Sequence, residues 1–449
     1  MILTQKGISM FKDEKEKGYI IQDVSDSKGV ILGQTPKGVI ISNETRGKNV
    51  CVFGSSGSGK TVCYAKPLCL QAIRRNESVI INDNAQALYS DLATSFKEHG
   101  YVIRRLNFRY GNSDHWDMLE GVAENPEKAF EIATDIIGPS GDNVILAAAT
   151  SLLSALIIYV DILSKQKHLT KSKMAALYAL LGAYREGDLG YRMKSISSKE
   201  CENAYMIFEE SPSETQDTVY ELLSKKLGAL MKNSVCEIMN GQSIDLELPA
   251  KVPCAYFISF EDFQSDMRFA SSTFYHEAFR KLFKFAETQP DGKCRVPVNF
   301  LFDEFANIGS IQHLENLLEA GAEKEISVHM ILNNIPQFSM LYPKSYLSIL
   351  DHCAAVVSMG LCDMDTVQYF QHRTEKGLVD LSDKKPVSRK ALTPDEICRM
   401  NLGDKCIILF GPEESVIANK FFFAAHPDAK HIKFTMEQDY QPAEILKAE

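Results

Sequence analysis

This 449-residue sequence predicts an α/β fold with a mainly parallel sheet, into which an all-helical segment is inserted. Three observations predict it. Short apolar runs alternate with helix-compatible segments from Val50 to Phe108. From Glu127 to about Met239 the alternation stops, and apolar residues recur at three- and four-residue spacing with hardly a β-branched strand signal. Strand signals resume over Val252–Phe260, so the sheet begun before the helical stretch is completed after it. The length allows about three domains, and the boundaries fall at a β-rich lead-in over 1–48, an α/β domain over 49–126 and 250–449, and an all-α domain over 127–249.

In chain order, the β-like runs Val30–Gly33 and Val39–Ser42, with Gly38 between them, predict a small hairpin leading into the sheet. The apolar run Val50–Phe53 then precedes Gly54, Ser55, Ser56, Gly57, Ser58, Gly59, Lys60 and Thr61, a full match to G-x-x-x-x-G-K-[ST]. Gly54, Gly57 and Gly59 can take positive φ and let backbone N–H groups close round a polyphosphate, while a helix starting near Lys60 aims its positive end at it. Lys60 is placed to reach the β- and γ-phosphates of ATP and Thr61 to ligate Mg²⁺. A strand over Ser78–Asp83, a helix to Glu98 and a strand over Tyr101–Phe108 follow. The uncharged run Val144–Val160 is short for a membrane span, contains Thr150, Ser151 and Ser154, and is expected as a buried helix of the inserted domain. Further on, a helix is expected over Met267–Glu287.

The apolar strand Val298–Asp303 ends in two carboxylates, the second signature of a phosphate-loop ATPase. Asp303 is the candidate for holding Mg²⁺ and Glu304 the candidate general base that polarises water. The strand Ser327–Leu332 ends at Asn333, a candidate for contacting the γ-phosphate; an Asn at that turn serves equally well as a helix N-cap.

A formal charge of −10 and a pI near 5.6 argue against a protein coated in basic surface, but leave room for nucleic acid in a local channel. The 11 cysteines form no C-x-x-C pair, so neither a zinc site nor a disulfide framework is suggested, and reduced cytosolic thiols are the simplest reading. The N-terminal stretch Met1–Tyr19 has no apolar core long enough for a signal peptide.

The series NVCVFGSSGSGKT, SDHWDMLEG (Ser113–Gly121), GQSIDL (Gly241–Leu246), FLFDEFANIGSI (Phe300–Ile311) and EISVHMILNNIPQFSMLY (Glu325–Tyr342) resembles the TraG/TraD family of type IV secretion coupling proteins, from about Lys48 to Gly411. The resemblance implies a RecA-like ATPase with a helical domain between its two nucleotide motifs. It also implies a homo-hexamer that recruits relaxase-bound DNA and delivers it to a type IV secretion channel during conjugation. A chromosome-segregation or HerA/FtsK-like DNA pump, or an adaptor that binds nucleotide and recruits substrate with little hydrolysis, are the competing readings. Three departures stand out. The family's D-P-K-G-E-like stretch reads Asp83, Asn84, Ala85, Gln86, Ala87, losing the Lys and the acid. Asn333 stands where a Gln is usual. Lys324, flanked by Glu323 and Glu325, stands where an Arg-containing turn would supply a finger to a neighbour's site, a point charge without a planar fork. The family's usual pair of N-terminal membrane helices has no counterpart, so the expected location is cytoplasmic, peripheral at the cytoplasmic face of the cell membrane, with any anchor supplied by a partner.

Overall fold

The computed structural model describes residues 17–43, 48–109, 112–122, 125–138, 141–166, 169, 172–231, 233–260, 268–361, 363–400 and 403–445. Its strands are β1 (Tyr19–Gln22), β2 (Ile31–Thr35), β3 (Gly38–Ser42), β4 (Val50–Phe53), β5 (Ser78–Asn82), β6 (Val102–Asn107), β7 (Cys254–Ser259), β8 (Val298–Phe302), β9 (Ile326–Leu332), β10 (Ala355–Ser358), β11 (Leu378–Asp380), β12 (Val387–Arg389), β13 (Lys405–Phe410) and β14 (Glu414–Asn419). They form one sheet in the order β1-β3-β2-β14-β13-β10-β4-β9-β8-β5-β7-β6, and β11 and β12 branch from β14. The seven strands from β10 to β6 are all parallel, and those between are buried end to end, as strands covered on both faces must be. β13, β14, β2, β3 and β1 extend this sheet with antiparallel partners.

Two cores lie on opposite faces, and the period of two along each strand divides the side chains between them. Cys51, Phe53 and Ile80 face the core shared with the helical segment, while Val50, Val52, Val79 and Ile81 face the core under the helices Lys66–Arg75 and Ala87–Glu98. The expected lead-in hairpin is present as β2 and β3, but it joins the sheet through Asn419 opposite Gln34, and its turn is at Pro36 and Lys37, with Gly38 already paired to Thr35. After β14 the chain crosses the second face to the β6 edge. There Tyr440 Oη donates to Asp114 and Ala443 N donates to Asp114 Oδ1 at 2.7 Å.

Between β6 and β7 the described residues contain helices and no strand. Asn143–Lys165 is the central one, packing against Glu127–Ile137, Lys173–Gly182, Lys199–Glu209 and Ser213–Gly228. Its side-chain cap is Asp142, which accepts from Val144 N at 2.8 Å. By length and composition alone it could cross a membrane, yet 72% of its most apolar window is buried inside the protein. Asp161 near its end is fully buried and accepts from Lys173 Nζ at 2.8 Å, so the charge at the end of the apolar run is held in a folded core. This helical layer docks on Arg268–Glu287 through the buried pair Lys128 Nζ to Glu277 Oε1 at 2.7 Å, with Trp116 Nε1 on Glu277 Oε2 at 3.1 Å.

Candidate functional site

The phosphate loop leaves the carboxyl end of β4 between the ends of its two neighbours. Gly54 N donates to Leu332 O (3.0 Å) at the end of β9 and Ser55 N to Gly360 O (2.7 Å) beyond β10, so the loop is pinned from both sides. Gly57 and Gly59 take φ of 77° and 91°. Gly54 does not, contrary to the expectation from sequence; a Cβ there would crowd Ser58 Oγ, which would have to turn away. The helix begins at Thr61 with one wide turn, Lys66 N reaching back to Thr61 O, before continuing as an α-helix over Lys66–Arg75. Pro67, which has no N–H to donate, sits just past that turn.

Lys60 Nζ donates to Gly54 O (2.5 Å), Ser55 O (2.9 Å) and Asn333 Oδ1 (3.1 Å). Burial lowers its pKa against the opposing pull of Asp303 and Glu304. Thr61 Oγ1 donates to Asp303 Oδ2 at 3.0 Å, and burial raises the Asp303 pKa while that hydrogen bond works the other way. Glu304 is exposed at the strand end in a left-handed conformation (φ 59°), where its Oε2 accepts from Asn307 Nδ2 at 3.0 Å. At that turn the helix N-cap is Asn334 and not Asn333. Asn333 faces Lys60, and Asn334 caps the next helix by accepting from Gln337 N at 2.9 Å. A cleft of about 420 Å³ is lined by residues Ser56 to Val62 together with Asp83, Asn84, Ala85, Asp303, Glu304 and Asn333.

Lys324 lies elsewhere. It caps the helix Leu314–Glu323, before the start of β9, and the seven residues of β9, about 23 Å at ~3.3 Å each, separate it from Asn333. Its ammonium pairs with Glu287 Oε1 (3.6 Å), not with its flanking glutamates; Glu325 turns to Lys48 (3.3 Å) and Lys293 (3.2 Å). Lys324 therefore cannot serve its own site.

The altered stretch after β5 is used structurally. Asp83 accepts from Leu88 N (3.2 Å) and Tyr89 N (2.7 Å), Asn84 Oδ1 accepts from Phe260 N (3.0 Å), and Gln86 Oε1 accepts from Arg105. Burial pushes the Asp83 carboxyl up to about 7, its backbone hydrogen bonds opposing. An acid whose folded pKa exceeds its unfolded value contributes stability that is fully present near pH 4 and lost as pH rises through about 7. Asp83→Asn removes this titration. Its Tm relative to that of the parent should therefore climb between pH 4 and pH 7 and level off above. A Tm difference flat across that window rules out a buried, titrating Asp83. Differences are what must be compared, because the buried His329 and His426, held down to about 3 and about 4 by burial, pull the parent's own profile the opposite way.

One residue of the site was not foreseen. Lys420, buried just after β14, donates from Nζ to Ser58 O at 3.2 Å and so braces the phosphate loop from behind. The only signal was a lysine set in the apolar run 415–424, since a buried ammonium needs a partner.

The family model for type IV secretory system conjugative DNA transfer matches residues 5–445. The chain belongs to that family. No curated protein sequence matches it. Among solved structures it is similar to the plasmid coupling protein TrwB in complex with ADP and Mg²⁺, at 17% identity and a TM-score of 0.62, covering 88% of this chain and 89% of that one. TrwB with a non-hydrolysable ATP analogue matches at 16% identity and a TM-score of 0.60, covering 93% and 96%. VirB4 of Thermoanaerobacter pseudethanolicus matches at 13% identity and a TM-score of 0.53, covering 82% and 97%. These likenesses show the fold alone, a RecA-like one with a large, mostly parallel sheet. Membership of the family makes this a conjugative DNA-transfer protein associated with type IV secretion.

Proposed function

We propose that this chain is a DNA-translocating ATPase of conjugation. It binds ATP and Mg²⁺ in the cleft under the phosphate loop, hydrolyses ATP with Glu304 as base, and works as a homo-hexamer at the cytoplasmic face of the membrane. There it recruits relaxase-bound DNA and hands it to the secretion channel, with the helical domain 127–249 carried on the α/β domain. The observation that carries this reading is the Thr61 Oγ1 to Asp303 Oδ2 contact of 3.0 Å beside Lys60 and Asn333, in a chain of the DNA-transfer family. That TrwB, a structural neighbour, was solved with ADP and Mg²⁺ supports the choice of ligands.

The residues present fit those ligands. Gly57 has open space where a Cβ would stand, Lys60 is already inside the cleft, and a hydroxyl and a carboxylate sit together where a hard cation needs oxygen donors. Thr61 and Asp303 would hold Mg²⁺, which neutralises phosphate charge when bound. Lys60 binds the terminal phosphates and Asn333 fixes the direction of its ammonium. Glu304, exposed beside them, takes the proton of the attacking water. Measuring ATP turnover with and without DNA tests the reading. An adaptor that hydrolyses little is favoured only by the structural use of Asp83, Asn84 and Gln86, and a rate that stays near zero with DNA would select it.

In a ring the face bearing Lys324 can meet a neighbour's cleft. Turnover per subunit should then rise with protein concentration, and Lys324→Arg should raise it further, because a planar fork contacts two phosphate oxygens at once. If turnover is independent of concentration and Lys324→Arg and Lys324→Ala are both silent, the shared site is excluded.

A further inference from the structure

Among the described residues of this acidic chain, the hairpin of β11 and β12 forms a basic projection. From Asp383 to Lys390 every residue is exposed, and the four cations Lys384, Lys385, Arg389 and Lys390 stand against Asp383 alone, in a chain of formal charge −10. β12 is exposed along all three of its residues, with Val387 at 56%, and has β11 as its only partner among the described strands. Arg389 is 3.5 Å from Asp380, whereas among the described residues no carboxylate pairs with Lys384, Lys385 or Lys390. The base of the projection is fixed. Leu381 N donates to Ile417 O (2.8 Å), Asn419 Nδ2 to Ser382 O (2.9 Å) and Ser382 N to Asp380 Oδ1 (3.0 Å).

The strand directions determine where this projection stands. β11 is parallel to β14, β14 antiparallel to β13, β13 antiparallel to β10, and β10 parallel to β4, so β11 runs in the direction of β4. Its carboxyl end, where Lys384 and Lys385 follow, lies at the same edge of the sheet as the phosphate loop. Lys420, one residue beyond β14, ties that edge together by holding Ser58 O.

We propose that the 381–391 hairpin binds the DNA phosphate backbone, a deepening that rests on the DNA-moving function above. Exposed lysines on a rigid, two-stranded support hold phosphates without base readout. Their place at the nucleotide edge sets the DNA beside the part of the molecule that changes when ATP is bound and cleaved.

The test uses the full chain and its triple variant Lys384→Gln, Lys385→Gln, Lys390→Gln, compared with a charge-matched control at the exposed Lys28, Lys37 and Lys97. Fluorescence anisotropy is read with a labelled single strand and a labelled duplex over a salt series, alongside a fluorescent ADP analogue for the nucleotide site. The hairpin variant should bind DNA about tenfold or more weakly whatever the sequence, with a salt slope smaller by about 2 on single strands, at ~0.7 for each phosphate that is no longer neutralised. Nucleotide affinity and the control's DNA affinity should be unchanged. Which of the two DNA forms is weakened more identifies the one this hairpin holds. Equal DNA binding by the parent and the hairpin variant overturns the proposal while leaving the DNA function standing; with aggregation of the variant as well, the lysines and Pro386 serve only to blunt a bare sheet edge. No DNA binding by the parent overturns both. Loss of binding to anionic lipid vesicles, with DNA binding intact, reassigns the hairpin to a membrane surface.

Discussion

Lys60→Ala is expected to abolish ATP turnover, lowering it by about 10³-fold or more while the protein stays folded. The ammonium is the only cation the described structure places among the carbonyls of Gly54 and Ser55 and the amide of Asn333, and these converge on it in the cleft the phosphates would occupy. Its removal takes away the charge that stabilises the γ-phosphoryl oxygens as the leaving bond breaks. The backbone that shapes the loop is held independently, by Gly54 N on Leu332 O and Ser55 N on Gly360 O, and the strand and helix on either side are buried on their own account. Thermal melting should therefore move little. Turnover is followed by phosphate release at saturating ATP, with and without DNA. A rate equal to the parent's removes the phosphate-loop assignment; a variant that melts far below the parent shows Lys60 to be needed for the fold, and the comparison then moves to Lys60→Met, which keeps the stem.

The part of the molecule between Val50 and Asn333 was legible because each signal there is local. A glycine-rich loop between an apolar run and a helix, or two carboxylates after five buried residues, needs no partner to be recognised, and the strands fall within a residue or two of the expected bounds. Beyond Asn333 the reading thins. β10 has four residues, too few for periodicity to separate it from a buried helical turn, and β13 and β14 show their meaning only when paired back onto β10. Lys324 illustrates the same limit from the other side. Its neighbours in sequence, Glu323 and Glu325, suggested a blunted charge, but the helix end turns it toward Glu287, which no local pattern announces. Lys420 reaches Ser58 across the fold, and its role depends on the sheet being closed in one register.

Glu304→Gln should leave nucleotide binding intact and lower hydrolysis by about 10²-fold or more, since the amide keeps the shape of the side chain but cannot take a proton from water. The surroundings make this substitution cleaner than most. Glu304 is exposed, so no buried charge is stranded by the change, and the hydrogen bond it receives from Asn307 Nδ2 needs only an oxygen, which glutamine retains. Its left-handed backbone is set by the turn after β8 and is common to both residues. Asp303, with its contact to Thr61, is untouched, so the affinity for a fluorescent ATP analogue in Mg²⁺ should match the parent's. Single-turnover hydrolysis is the decisive measurement, because it reports the chemical step apart from product release. An unchanged chemical rate would place the base elsewhere. A loss of nucleotide affinity instead would make Glu304 a ligand of the bound metal, leaving Asp303, half-buried and already engaged by Thr61, as its structural support.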